Sequence, residues 1–213
     1  MTKQPNFLFF ITDQQRADWL GCYGHSVLRT PNIDAIAVQG MRFDNFHAAS
    51  PVCMPNRASL LTGRYPSLHG LRFNGCTLRE DANTFVHLLA DAGYHTAAIG
   101  KSHLQPFTTL PPMGRNIDEI EALPDAWRTR APKRYQEGPE NYSSDSRFVF
   151  DTPFYGYQHV DMVTNHGDRC GGHYLQWFRE QAGDWKALHD PANQLEHNYT
   201  CPQAYRTPIP EEL

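Results

Sequence analysis

Apolar and polar positions along the chain form short runs whose period switches between that of a strand and that of a helix. Residues 6–12 make a brief apolar run rich in Phe and Ile that ends in polar Asp13-Gln14-Gln15, the pattern of a buried strand. Thr30-Pro31 opens a helix, with Thr30 as N-cap and Pro31 in the first turn; Ile33, Ile36 and Ala37 supply its apolar face and Gly40 closes it. Residues 41–47 alternate as a second strand. A helix over about 55–61 ends at Gly63, and another over 84–92 sets Phe85, Leu88 and Leu89 at helical spacing and stops at Gly93. Residues 95–100 and 155–164 read as further strands, and 173–181 as a helix.

Strands alternating with helices predict an α/β fold with a largely parallel central sheet flanked by helices. Residues from about 104 to 150 break that rhythm: they are rich in Pro, Arg, Glu and Tyr without sustained periodicity, and predict a long surface excursion. From Pro191 onward the chain is polar and Pro-rich. There is no internal repeat.

Composition adds mainly exclusions. The formal net charge of −4 gives no general attraction to nucleic acid or anionic membranes, so an anionic substrate needs a local cationic pocket. The opening apolar run is too short to span a bilayer and lacks the basic region and cleavage site of a secretory signal; with Met1 as the true start, a cytoplasmic protein without a membrane partner is expected. The cysteines are Cys22, Cys53, Cys76, Cys170 and Cys201, an odd number without a CxxC pair, which argues against a disulfide framework or a Cys-rich zinc site.

Several residues carry chemistry. Cys53-Met-Pro-Asn-Arg57 by itself reads as a helix start with a buried Cys. Pro55 suits a first helical turn, which places Cys53 where the helix dipole and free amides favour an anion, and Arg57 can turn back toward the same end. Asp13 follows the first predicted strand, where ligands gather in open α/β sheets, although an Asp there is commonly a turn or cap residue. Lys101 and His103 follow a strand at i, i+2 spacing and point to one side if strand geometry persists. Asn74, after His69-Gly70, suits a turn as well as a substrate contact. His166-Gly-Asp168 and Gly171-Gly-His173 read more readily as loop punctuation, and Trp127, Trp177 and Trp185 as packing.

The string from Cys53 through Ala58-Ser-Leu-Leu-Thr-Gly-Arg64 resembles the signature of the type I, formylglycine-dependent sulfatases of the alkaline phosphatase superfamily. Ile11-Thr-Asp-Gln14, Leu20-Gly-Cys-Tyr-Gly24, Thr30-Pro-Asn-Ile-Asp34, Gly40-Met-Arg-Phe43, Tyr65-Pro-Ser-Leu-His-Gly70 and Gly100-Lys-Ser-His103 are similar to that family in order and spacing, over roughly residues 6–104. Tyr155-Gly-Tyr157 and Gly171-Gly-His173 continue the resemblance more weakly.

The resemblance implies an alkaline-phosphatase-like fold and hydrolysis of a sulfuric ester. Cys53 becomes formylglycine through a formylglycine-generating enzyme, and its hydrated aldehyde provides one hydroxyl to attack sulfur and a second whose deprotonation releases sulfate. Asp13, Gln14 and the modified Cys53 bind a divalent cation, Ca2+ before Mn2+ or Mg2+; Gln14 stands where many members carry a second Asp, leaving an uncharged oxygen donor. Arg57, Lys101 and His103 serve catalysis by contacting the formylglycine and the sulfuryl oxygens, and Asn74 lines the pocket. Related phosphonate monoester hydrolases tend to carry other residue types in place of Lys101 and His103, so this pair favours sulfate esters. A phosphonate monoester or phosphodiester hydrolase, or an inactive fragment or non-catalytic binding relative, are the alternatives. The family's second metal-ligand pair lies far downstream of the nucleophile. The chain is therefore expected to be the N-terminal part of a catalytic domain, incomplete at its C-terminus, from a protein of ~450–550 residues.

Overall fold

The computed structural model describes residues 4–108, 122–128, 135–188, 190 and 192. The chain divides into two compact units, Met1–Ala48 and Ala49–Leu213.

In the first unit, helix α1 spans Pro31–Gln39, one residue short of Gly40, as its N-terminal Pro and terminal Gly predict. Thr30 makes no side-chain cap. Its hydroxyl instead donates to Asp34 Oδ1 at 2.9 Å and accepts from the Gly21 amide at 2.8 Å, while Asp34 Oδ1 also accepts from the Cys22 amide at 2.7 Å. A Cβ on Gly21 would press on the Asp34 carboxylate, which would have to shift to admit it. The expected apolar face is not covered: Ile36 is 67% exposed and no residue of α1 is buried. The strands predicted over 6–12 and 41–47 do not form either; both segments lack regular structure, and Phe7 to Ile11 are exposed. A strand is stabilised by a hydrogen-bonded neighbour and a covered face, and neither segment joins a sheet among the described residues.

The second unit holds the core. Helix α2, Cys53–Thr62, buries Met54, Pro55, Arg57, Ala58, Ser59 and Leu61, and ends on Gly63 in the left-handed conformation (φ 66°). The short helix α3, Pro66–His69, packs beside it. Helix α4, Phe85–Asp91, starts from Thr84, whose hydroxyl accepts from the His87 amide at 3.3 Å. Val86 is its buried residue, whereas of the predicted face Leu89 is half-buried and Phe85 and Leu88 are exposed, Leu88 to 67%.

Strand β1, Ala97–Gly100, pairs parallel with β2, His159–Thr164, in the register Ala97↔His159 to Gly100↔Met162. The two-residue β3, Gly171–Gly172, pairs antiparallel with β2 and leads directly into helix α5, His173–Gln181; α6 is a single turn, Trp185–Leu188. Among the described residues the result is a three-stranded mixed sheet in the order β1-β2-β3 with helices, an α/β arrangement. Along β2, Val160, Met162 and Thr164 alternate into the core as the period-2 pattern requires.

Met54, Ala58, Leu61, Leu71, Leu78, Leu104 and Met162 form one cluster with Tyr142, Phe154 and Tyr155. Rings of Tyr142, Phe148, Phe150, Phe154 and Tyr155 succeed one another edge to face at 5.1, 5.7, 4.8 and 4.5 Å. Each such pair adds about 1 kcal/mol beyond the area it buries. The stretch expected to be an excursion, about 104–150, thus contributes to the core where it is described: Leu104, Gln105, Phe107, Ala126, Gln136, Glu137 and Tyr142 are all buried. Its remaining parts, 109–121 and 129–134, lie outside the described residues, as does most of the Pro-rich segment after 191. Among the described residues no helix is long and apolar enough to cross a membrane.

Candidate active site

Cys53 is the first residue of α2 and is half-buried. The Asn74 side chain reaches across to this helix end. Its Oδ1 accepts from the Met54 amide at 3.2 Å, meeting one of the amide donors that a helix start leaves open, and its Nδ2 lies 3.4 Å from Cys53 Sγ. Asn74 therefore touches the cysteine itself and is more than a turn residue. Cys22, Cys53 and Cys76 form no disulfide among the described residues.

Arg57 lies one turn beyond Cys53 with only 7% exposure, and its Nη1 donates to the carbonyl oxygen of Lys101 at 2.6 Å. The guanidinium thereby ties the cysteine helix to the residue that follows β1. Deeper in α2, Ser59 Oγ sits 3.0 Å from His69 Nε2, while His69 Nδ1 accepts from the Leu71 amide at 3.2 Å. Because Nδ1 is an acceptor, the proton belongs on Nε2, which donates to Ser59. Burial pushes the His69 imidazole down to about 4, so it is neutral and braces α2 against α3.

Strand geometry does not persist past β1. Gly100 has φ 112° and His103 has φ 51°, so the i, i+2 argument for Lys101 and His103 fails. The bend still brings the two together around one ring. His103, 7% exposed, stacks on Phe107 with centroids 3.8 Å apart and planes 7° from parallel, and Lys101 Nζ lies 5.8 Å from the centre of the same ring. On its other side Lys101 Nζ is 3.3 Å from both ring nitrogens of His166. The ammonium is thus within hydrogen-bonding distance of the His166 imidazole.

His166 thus joins Lys101, a placement the sequence pattern underrated. The signal lay in the parallel pairing: with Gly100 beside Met162, the loops after β1 and β2 leave the same end of the sheet. Phe107 carried no local signal. His173, by contrast, is structural: its Nδ1 accepts from the Met162 amide at 3.1 Å and its Nε2 lies 2.9 Å from the Phe148 carbonyl oxygen. Trp127 packs against the core under the Arg79 guanidinium, as a packing residue should.

Asp13 and Gln14 belong to the first unit; both are exposed, and Gln14 has φ 55°. A carboxylate and an amide oxygen are hard donors that suit a divalent cation, but they fill two of the roughly six positions such an ion takes. Among the described residues no group of three His, Cys, Asp or Glu side chains is placed to hold a metal. The donor set therefore fits a hard cation in chemical type and is partial in number.

The model of the Sulfatase family matches residues 5–198. The chain is 45% identical over 103 residues to the N-acetylglucosamine-6-O-sulfatase of Bacteroides thetaiotaomicron, covering 48% of this chain and 18% of that protein. It is 40% identical over 111 residues to the steryl-sulfatase of Rattus norvegicus (47% and 19% covered) and 38% identical over 108 residues to the arylsulfatase of Clostridium perfringens (50% and 22% covered). The matched stretch thus spans about a fifth of the length of these curated relatives.

Proposed function

We propose, from the premise that this chain belongs to the sulfatase family of the alkaline phosphatase superfamily, that it carries the nucleophile and part of the sulfate-binding apparatus of a sulfuric ester hydrolase. The observation that carries the reading is the linkage at the start of α2. Cys53 opens the helix against Asn74, and Arg57, one turn on, grips the backbone of Lys101.

In this reading Cys53 is converted to formylglycine, which when formed supplies the nucleophilic hydroxyl that a thiol or serine cannot regenerate. Asn74 holds the modified side chain and the Met54 amide in the first turn of α2. Lys101 offsets charge on the sulfuryl oxygens as it builds in the transition state, and the half-buried setting between Phe107 and His166 strengthens that effect by limiting water. His103, fixed by its stack on Phe107, offers an imidazole to a hydroxyl of the hydrated formylglycine. A hard divalent cation, Ca2+ in the first instance, would take the Asp13 carboxylate and the Gln14 amide oxygen among its ligands; bound, it supplies Lewis-acid polarisation. The substrate is a small sulfate ester, and the maturing partner a formylglycine-generating enzyme. Relatives named for aminosugar, steryl and aryl sulfates leave the alcohol portion open.

The test has two parts, both on the full-length protein co-expressed with a formylglycine-generating enzyme. The peptide containing Cys53 should lose about 18 Da relative to the thiol form, and the enzyme should hydrolyse an aryl sulfate faster than the matching aryl phosphonate monoester. A faster phosphonate reaction would assign the site to phosphonate or phosphodiester hydrolysis, and an unmodified Cys53 with no turnover would assign it to a non-catalytic relative.

A further inference from the structure

Glu137 is fully buried, 0% exposed, and is not part of the site outlined above. A single oxygen of its carboxylate, Oε1, accepts from the Ser102 hydroxyl at 2.5 Å, the Leu104 amide at 3.0 Å and the Gln105 amide at 3.3 Å. The two closest donors flank His103, the residue with φ 51°. A histidine takes that left-handed conformation only where its surroundings impose it. Successive backbone N–H groups in such a bend form a concave anion-binding nest, and here a protein carboxylate fills it.

The contact is reciprocated, which makes it rigid. Gln105 Oε1 accepts from the Gln136 and Glu137 amides at 2.6 and 3.3 Å, and Gln105 Nε2 donates to Glu80 Oε1 at 3.0 Å. Gln136 is itself anchored, its carbonyl accepting from the Tyr142 hydroxyl at 2.8 Å and its amide side chain pairing with the backbone of Asp151 at 2.6 and 3.0 Å. Glu137 thus connects the aromatic core to the loop that presents Lys101 and His103.

We infer that Glu137 is a positioning residue for the proposed reaction: its carboxylate holds the bend through Ser102, His103 and Leu104, and so sets where the Lys101 and His103 side chains meet the sulfuryl group. The inference rests on the sulfatase reading of the site. Three donors converging on one oxygen need an acceptor, not a charge as such. Gln in place of Glu keeps that acceptor, whereas Ala leaves the three donors buried and unmet.

The experiment compares Glu137→Ala, Glu137→Gln and wild type in the full-length enzyme with Cys53 oxidation quantified, measuring turnover of an aryl sulfate and amide hydrogen exchange at Leu104 and Gln105. Glu137→Ala is expected to lower kcat about 100-fold, the order expected of a small misplacement of reacting groups, with little change in KM. Faster exchange at both amides should accompany it, and Glu137→Gln should restore kcat to within about 10-fold of wild type. If Glu137→Ala fails to fold, Ser102→Ala takes its place; it removes the 2.5 Å donor and should lower kcat and speed exchange at Leu104. Unchanged exchange at Leu104 in the variant, or a kcat loss that tracks the loss of folded protein and is not rescued by Gln, overturns the inference. Absence of turnover by wild type with oxidised Cys53 instead overturns the sulfatase reading, and the exchange data still decide whether Glu137 holds the loop.

Discussion

Arg57 Nη1 donates to the Lys101 carbonyl oxygen at 2.6 Å, so a residue of the cysteine helix bears on the backbone rather than the side chain of the lysine that follows β1. A planar guanidinium nearly enclosed by protein holds that carbonyl in a fixed direction, which a flexible ammonium does not reproduce.

Arg57→Lys is therefore expected to cost about 1.5–3 kcal/mol of stability, the usual worth of a buried charge-assisted hydrogen bond. Urea unfolding of the two proteins measures it, and an unchanged midpoint would show that the contact carries no weight.

His69 makes stability depend on pH in one direction. Folding lowers its pKa from 6.5 to about 4, so between these values the unfolded chain takes up a proton that the folded protein refuses. Stability is full above pH 6.5 and falls as pH drops toward 4, by on the order of 3 kcal/mol from this group. His69→Gln keeps a donor toward Ser59 and should flatten this part of the profile while lowering stability at pH 7; thermal melts across the range test it.

Glu137 acts in the opposite direction. Burial raises its carboxyl from 4.5 to about 7, with bonds from Ser102 and the loop amides offsetting part of the rise. From pH 4.5 to 7 the folded protein holds the proton more tightly than the unfolded chain, so this contribution is present below 4.5 and is lost as pH rises through 7. Replacing Glu137 by Gln should remove that decline, and a Glu137→Gln melting profile parallel to wild type from pH 5 to 8 would count against it.

Gly172 joins β3 to α5 with φ 75°, and a Cβ there would stand 2.4 Å from the Met162 carbonyl oxygen of β2. The neighbouring atom is backbone, so the clash is relieved only by breaking the β2–β3 pairing. Gly172→Ala should cost more than ~2 kcal/mol, combining strained backbone with overpacking, while Gly183→Ala, where a Cβ meets nothing within 4 Å, should not. Equal melting temperatures for the two variants would refute the assignment.

Much of this protein was readable from local pattern alone. Pro31 and Gly40 bounded α1, Gly63 ended α2, and the helices predicted over 84–92 and 173–181 form as Phe85–Asp91 and His173–Gln181. The string from Cys53 to Arg64 placed the cysteine at a helix start. These features depend on residues within a turn or two of one another, which is why the sequence alone carries them.

What depends on distant partners had to come from the tertiary structure. The apolar runs at 6–12 and 41–47 have strand composition but join no sheet among the described residues, and composition does not supply a neighbour. On α4 the core takes Val86 rather than Leu88, because the buried face is chosen by what packs against it. The irregular stretch after residue 104 offered no periodicity, yet Gln136, Glu137 and Tyr142 fold inward because their polar atoms find hydrogen-bond partners some 6 to 35 positions away along the chain. Lys101 and His103 were singled out from their motif, but the extended strand assumed for them does not persist past β1. The bend that presents them is imposed by a glutamate more than thirty residues downstream and by the Phe107 ring, and such long-range convergence leaves no trace in local spacing.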